Sequence, residues 1–346
     1  MRVSTLLEHA RDPRETAAGA ADLERAGLDL AWVGEAYSFD AVSLLGFLAA
    51  RTEQLEIGAG ILNVYSRTPS LLAMTAAGLD ALSGGRFVLG LGASGPQVVE
   101  GWHGIPYDRQ LTRTREAVEI CRKVWAREAP LTHDGSAYTL PLPSERGTGL
   151  GKPLRIINHP IRSRIPIWLA SLGEKNVALT AEIAEGWLPL FFVPERAKEA
   201  FGDALAAGAA RRDPALPPLE IGAGGVLAIT DDPDEAARLR DRARPQLALY
   251  IGGMGAKGRN FYNALMVRYG WEAEAAEIQE LYLSGRKSEA EAAVPAELLE
   301  KTALVGPEGY LKERIAAFQE AGVTVLNVTP VGENPAAMIE RLKGLI

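Results

Sequence analysis

Apolar residues in this chain fall into short runs hydrophobic on both faces, separated by stretches in which they recur every three or four positions. Runs of the first kind read as strands buried from both sides and the second as amphipathic helices, and their alternation predicts a parallel sheet covered by helices on its outer face. Strands are expected near 2–7, 28–35, 54–61, 86–92, 166–170, 186–191, 220–229 and 323–329. Helices are expected near 13–26, 40–51, 69–82, 109–126, 174–185, 194–209 and 333–345, with more inside 232–317. A helix end, a glycine and an apolar strand follow one another at Gly27 before Leu30–Val33, at Gly85 before Phe87–Leu89, at Gly186 before Trp187, and at Gly322 before Val323–Val328. Glycine suits the residue after a helix because it takes the left-handed conformation without a Cβ clash. Thr68-Pro69 carries an N-cap and a first-turn proline. Leu111, Thr114, Val118, Cys121 and Trp125 form one apolar face on the helix near 109–126.

Two stretches break the alternation. Residues 130–166 are rich in Pro and Gly, and 232–317 separates the seventh and eighth strands. Both are longer than ordinary connections and read as insertions, after helix 4 and between strands 7 and 8, in a single domain spanning 1–346. The same elements would also serve an open doubly wound sheet. The favoured arrangement is a closed α/β (β/α)8 TIM barrel, because the last strand matches the second in character and no dinucleotide fingerprint opens the chain.

Composition narrows the function. The chain is 47% hydrophobic and 23% charged, ordinary for a globular protein, and its net charge of −7 argues against nucleic acid as a partner. Cys121 is the only cysteine, so there is no internal disulfide and no cysteine-based metal site, and its place on the apolar helix face makes it a core thiol. The N-terminus lacks the apolar run of a signal peptide, and no stretch approaches the roughly 18 apolar residues of a membrane span, so a cytoplasmic protein is expected.

A barrel places its chemistry in the loops after the C-terminal strand ends. Those ends read Glu35-Ala36-Tyr37-Ser38-Phe39-Asp40, then Gly58 to Arg67, then Gly92-Ala93-Ser94-Gly95-Pro96, then Ala170-Ser171-Leu172-Gly173-Glu174. Small residues let backbone N–H groups approach a ligand closely, and 171–176 also opens a helix, where phosphate is favoured; tight turns alone would use the same glycines. Gly90-Leu91-Gly92-Ala93-Ser94-Gly95 matches G-x-G-x-x-G, but three strands precede it and Pro96 follows, so it reads as a strand running into a turn. There is no G-x-S-x-G elbow, and His9, His103, His133 and His159 stand apart without metal-ligand spacing. A chain lacking nucleophile and metal clusters is what an organic cofactor leaves to the protein.

At these strand ends the sequence resembles the luciferase-like monooxygenase family, and within it the F420-dependent branch that includes methylenetetrahydromethanopterin reductase. The segments that carry this are Leu30 to Glu35, Gly58 to Pro69, Leu89 to Pro96, Pro166 to Ser171, and Val305 to Tyr310 followed by Val323 to Pro330. The resemblance implies an oxidoreductase that exchanges a hydride between the deazaflavin C5 of coenzyme F420 and a small organic substrate. It also implies a non-prolyl cis peptide at Gly60-Ile61, a bulge behind the cofactor ring. Asn63 falls where relatives contact the ring edge, Ser94 and Gly95 where they line the ring and its side chain, and Ser171, Leu172 and Gly173 where they bind phosphate. Glu35 matches an acidic position beside the ring and is the candidate for proton handling, with Tyr37 in the same loop; a carboxylate that merely braces its loop is the competing role for Glu35. The deazaflavin-type glucose-6-phosphate dehydrogenase of this branch has His after that acid, whereas Ala36 stands here, which turns the expectation away from a sugar phosphate. Relatives are commonly homodimers. The alternatives are an FMN-dependent monooxygenase on the same fold, a flavin-binding barrel without catalysis, and a barrel aldolase or isomerase, which would want a strand-end lysine where only Lys175, at a helix start, is near.

Overall fold

The computed structural model describes residues 1–7 and 12–346, so His9 lies outside the described residues. Eight strands form the barrel: β1 (Arg2–Leu7), β2 (Leu30–Val33), β3 (Glu56–Ala59), β4 (Phe87–Gly92), β5 (Ile167–Leu169), β6 (Gly186–Trp187), β7 (Glu220–Ala223) and β8 (Val325–Asn327). Each is parallel to both neighbours, and β1 pairs with β8 as well as β2, so the sheet closes into a (β/α)8 barrel as expected. The principal outer helices are α1 (Pro13–Arg25), α2 (Ala41–Arg51), α3 (Pro69–Leu82), α4 (Gln110–Ala126), α5 (Glu174–Ile183), α6 (Pro194–Ala209), α7 (Glu308–Glu320) and α8 (Pro335–Lys343). Thr68 caps α3, its hydroxyl accepting from Leu71 N–H at 3.3 Å. The predicted α4 face is buried from Thr114 onward, and Cys121 is sealed within it, its thiol pushed up to about 12 by burial and so not a nucleophile.

Side chains plug the barrel from below. Arg2 opens β1 and donates to Glu56 and Glu220, the first residues of β3 and β7, at 2.6 and 2.8 Å. Above them Trp32 and Trp168 meet at 5.3 Å between ring centroids. Glycines opposite make room for these rings: a Cβ at Gly58 would sit 2.5 Å from Trp32, and one at Gly186 would sit 2.1 Å from Trp168. A ligand therefore enters only from the C-terminal end.

The structure departs from the sequence reading in the second half. The run 186–191 is strand only over Gly186–Trp187. The run 220–229 breaks at Gly224-Gly225, where a Cβ on Gly224 would come within 2.4 Å of the Asn327 carbonyl. Beyond the break, Val226–Ile229 pairs with Leu304–Gly306 and Thr329–Pro330 in a separate three-stranded parallel sheet. The 232–317 segment is thus not helical throughout: it contains the strand Leu304–Gly306 and most of α7.

The 130–166 segment is held down by buried charge. It forms a hairpin of His133–Asp134 with Thr139–Leu140, and Glu116 of α4 accepts from the N–H groups of Ser136 (3.0 Å) and Tyr138 (2.8 Å). Further on, Arg162 forks onto the fully buried Asp80 of α3. Burial alone would raise the Glu116 carboxyl, but the N–H groups of Ala137 and Tyr138, with His133, hold it below its ordinary 4.5. A depressed acid stabilises the fold fully above its unfolded value and loses that contribution as pH falls through the folded one. Glu116→Gln is expected to destabilise the protein by about 1–2 kcal/mol at neutral pH and by much less in acid; a denaturation difference that does not shrink below pH 4.5 would contradict the sign.

Candidate active site

The turns after β3, β4 and β5 meet on one rim. After Ala59 the peptide between Gly60 and Ile61 is cis, as the resemblance implied. Leu62–Asn63 then pairs beside Leu91 and Gly92 of β4, and Ala170 N–H donates to the Leu91 carbonyl at 2.9 Å. A Cβ on Gly92 would lie 2.9 Å from Ile61 Cδ1 and 3.6 Å from Ala170 Cβ, so the three turns converge across this one glycine. The G-x-G-x-x-G run is explained on the same terms: Gly90 is inside β4, and a Cβ there would fall 1.8 Å from the Ala59 carbonyl. That glycine serves strand packing, not a dinucleotide.

Asn63 is buried in this rim. Its Oδ1 accepts from Tyr65 N–H at 2.9 Å, while Nδ2 has no acceptor among the described residues. A buried amide donor without a partner costs about 1–3 kcal/mol, and a bound ring carrying carbonyl oxygens would satisfy it. Ser94 holds φ 56, in the left-handed region, and its carbonyl accepts from the Tyr107 hydroxyl at 2.9 Å. Gly95 then opens the short helix Pro96–Val99.

Ser171 turns its hydroxyl inward to Thr180 at 2.8 Å, and its carbonyl accepts from Trp187 Nε1. The Leu172 carbonyl accepts from Arg268 at 2.7 Å. Gly173 precedes α5 without a side-chain cap, and while Asn176 N–H donates to the Gly173 carbonyl at 2.9 Å, the N–H groups of Glu174 and Lys175 remain for an anion. The serine hydroxyl is thus engaged within the fold.

Glu35 lies almost buried against Arg67, which follows β3. Nη2 donates to Oε2 at 2.8 Å and Nη1 to Oε1, while Oε2 also accepts from Ala41 N–H at 3.1 Å. The carboxylate therefore joins the ends of β2 and β3 and the start of α2. Its hydrogen bonds raise the guanidinium pKa further, keeping Arg67 charged. Tyr37, by contrast, is exposed and leans on Trp102, with ring centroids 6.3 Å apart. Sequence reasoning did not single out Arg67, although β2 and β3 are neighbours and their following loops carry opposite charges. It also passed over Tyr107, Phe191, Tyr250, Tyr262 and Arg268, which reach this region from segments that no local pattern links to it. Recesses of about 440 and 450 Å³ lie elsewhere, one walled by Pro13, Val33, Phe39 and Phe47, the other by Trp187, Phe192 and Ala317. Neither includes 60–63, 92–95 or 171–173.

Known proteins resemble the chain over its length. It is 43% identical over 323 residues, 92% of each chain, to a candidate coenzyme F420-dependent oxidoreductase of Mycobacterium tuberculosis. It is 29% identical to 5,10-methylenetetrahydromethanopterin reductase of Archaeoglobus fulgidus, across 92% of this chain and 90% of the relative. The solved coenzyme F420 dependent tetrahydromethanopterin reductase of Methanopyrus kandleri shares the fold at a TM-score of 0.78 and 23% identity, covering 99% and 97% of the two chains. The model of the luciferase-like monooxygenase family matches residues 1–325. The family model over 1–325 and a relative 43% identical over 92% of both chains agree with the closed barrel and its cis Gly60-Ile61 turn, and the chain belongs to the luciferase-like monooxygenase family.

Proposed function

We propose that this protein is a coenzyme F420-dependent oxidoreductase acting on a small organic molecule. The observation that carries the reading is the 43% identity over 92% of both chains to a relative with that description. Bound F420 would supply hydride exchange at C5 of its deazaflavin ring. The chain's own residues do the rest. The Gly60-Ile61 turn, with Ile61 seated over Gly92, and Ser94-Gly95 would hold the ring. Asn63 Nδ2, buried without a partner among the described residues, would donate to it. The N–H groups of Glu174 and Lys175 would take a phosphate of the cofactor tail. Glu35 holds Arg67 and the start of α2 in place, and Tyr37 offers a hydroxyl at the substrate side. The protein's contribution is orientation and water exclusion.

Titrating the purified protein with F420 and with FMN separately tests this reading. F420 is expected to bind at least about tenfold tighter, a preference of about 1.4 kcal/mol; the reverse order would make the chain an FMN enzyme on the same fold. Asn63→Asp keeps the acceptor for Tyr65 N–H but replaces the orphan donor with an oxygen. It is expected to weaken F420 about tenfold or more, in protein first shown by circular dichroism to be folded because the buried carboxylate also costs stability, and unchanged affinity would remove Asn63 from the ring contact.

We also propose a homodimer formed through α3. Leu71, Met74 and Leu82 stand exposed on that helix, and its sole charged residue, Asp80, faces inward. An outward apolar stripe of this kind marks an interaction surface. Sedimentation equilibrium should find a dimer in the parent and a monomer in Leu71→Glu/Met74→Glu; a monomeric parent ends the proposal.

A further inference from the structure

Six aromatic side chains from separate parts of the chain gather beside the rim. Tyr37 follows β2 and Trp102 follows β4; they touch one another and are otherwise solvent-exposed at 70% and 66%. Tyr250 and Tyr262 come from the insertion between β7 and β8 and meet edge-on at 4.7 Å. Phe191, after β6, stands 5.5 and 6.0 Å from those two rings. Tyr107 bonds the Ser94 turn. A Cβ on Gly173 would stand 3.4 Å from the ring of Phe261, the neighbour of Tyr262, so the insertion's rings lie at the rim; burial and then Tyr37 push up the Tyr250 phenol, and burial, then Tyr250 and Tyr107, push up that of Tyr262. These hydroxyls therefore remain neutral donors.

The arrangement is built, not incidental. Phe191 holds φ 56, a conformation that a bulky side chain adopts only under constraint. The constraint is visible: Tyr269 is buried behind it, its hydroxyl donating to the Phe191 carbonyl at 3.2 Å and accepting from Val193 N–H at 3.3 Å. Arg268 beside it fastens the same helix to the Leu172 and Ala200 carbonyls. Tyr250 lies on a π-helical turn, Leu249–Gly253, a distortion that frequently marks functional sites. Gly252 and Gly253 admit it, since a Cβ on either would press to 2.5 Å from Tyr282.

Resting on the F420 reading above, we propose that these rings form the substrate subsite and that it takes an uncharged, planar ring compound. Aromatic faces and edges bind flat rings through offset and edge-on contact, and the phenol groups add neutral hydrogen bonds. Among the described residues the cluster's ring contacts are with other aromatic rings, the Glu100 carboxylate accepts from the Tyr107 N–H at 3.2 Å, and the ionic pair Glu35 and Arg67 is satisfied bidentately within itself. A carboxylate or phosphate entering here would lose water without gaining a counter-charge. The shape is set by the insertion, so substrate choice is written in 250–262 as much as in the barrel.

Full-length protein loaded with F420 provides the test, using isothermal titration with three probes: 2-acetylnaphthalene, 2-naphthoate and tetramethylammonium. The neutral naphthyl ketone is expected to bind at least about tenfold tighter than the other two. Trp102→Ala, at an exposed position that does not endanger folding, and Tyr250→Ala should each weaken the ketone about tenfold with F420 affinity unchanged, and Tyr250→Phe should retain most binding. Equal binding of naphthoate, preference for the cation, absence of ketone binding to the loaded protein, or undiminished binding in both alanine variants would each overturn the subsite. Failure of F420 itself to bind, measured first, would instead defeat the functional reading on which the subsite rests.

Discussion

Gly90→Ala is expected to leave the protein unfolded or nearly so, although it adds one methyl group. The new Cβ would sit 1.8 Å from the Ala59 carbonyl oxygen, well inside contact distance. That oxygen belongs to backbone at the end of β3, not to a side chain that can turn away, and β3 pairs with β4 at the seam Ile57↔Phe87 and Gly58↔Val88. Relief requires β3 and β4 to part, which opens the barrel wall and separates the turns at 60–63 and 92–95. Overpacking of a core costs about 1–3 kcal/mol when side chains can absorb it; here backbone must move, so a loss of about 4 kcal/mol or more is expected, among the largest for single substitutions. Gly19→Ala is the matched control. Gly19 lies within α1, and a Cβ there meets nothing within 4 Å, so the substitution should stabilise by about 0.5–1 kcal/mol. Urea denaturation of the two variants separates these outcomes. A Gly90→Ala protein as stable as its parent would mean that the β3–β4 seam is not as close as described.

The barrel was legible in the sequence because its evidence is local. Doubly apolar strands, the glycines after helices and the Thr68-Pro69 cap each act within a few residues, and the strands from β1 to β5 lie within the stretches read for them. What escaped was what packing decides at long range. The run 220–229 is uniformly strand-like, yet it divides because Gly224 abuts the Asn327 carbonyl, a neighbour about a hundred residues away in sequence. Leu304–Gly306 is too short to announce itself within a helical stretch and exists as strand through pairing with Val226–Ile229. The site divides the same way. Glycines and other small residues within 58–60, 92–95 and 170–173 declare backbone that must approach something closely, and the structure brings Ile61 and Ala170 against Gly92. The aromatic wall from Phe191, Tyr250 and Tyr262 carries no spacing signal, since three separate segments supply it. Glu35 was visible as an acid at a strand end, but its function turns on a partner that only the closed β2–β3 edge reveals.

That partnership is expected to behave as one unit. With 10% and 14% of their side chains exposed, Glu35 and Arg67 are screened little by solvent. Arg67→Met leaves a carboxylate facing apolar surroundings and is expected to cost about 3 kcal/mol, the usual scale for stranding one partner of a buried pair. Glu35→Gln strands the guanidinium less severely, since an amide oxygen still accepts one bond, and about 2 kcal/mol is expected. The double variant removes both charges together and should cost about 2 kcal/mol less than the sum of the singles, a coupling that a double-mutant cycle in denaturant reads directly. F420 affinity supplies the functional half. Arg67 lies four residues beyond Asn63 and braces the loop that carries it, so Arg67→Met should weaken the cofactor about tenfold, with Glu35→Gln weakening it in the same direction. If the stabilities add without coupling, the pair is not a brace. If they couple but F420 binds all three variants as tightly as the parent, Glu35 is free of any positioning duty toward the ring, and its carboxyl returns as the candidate for proton transfer.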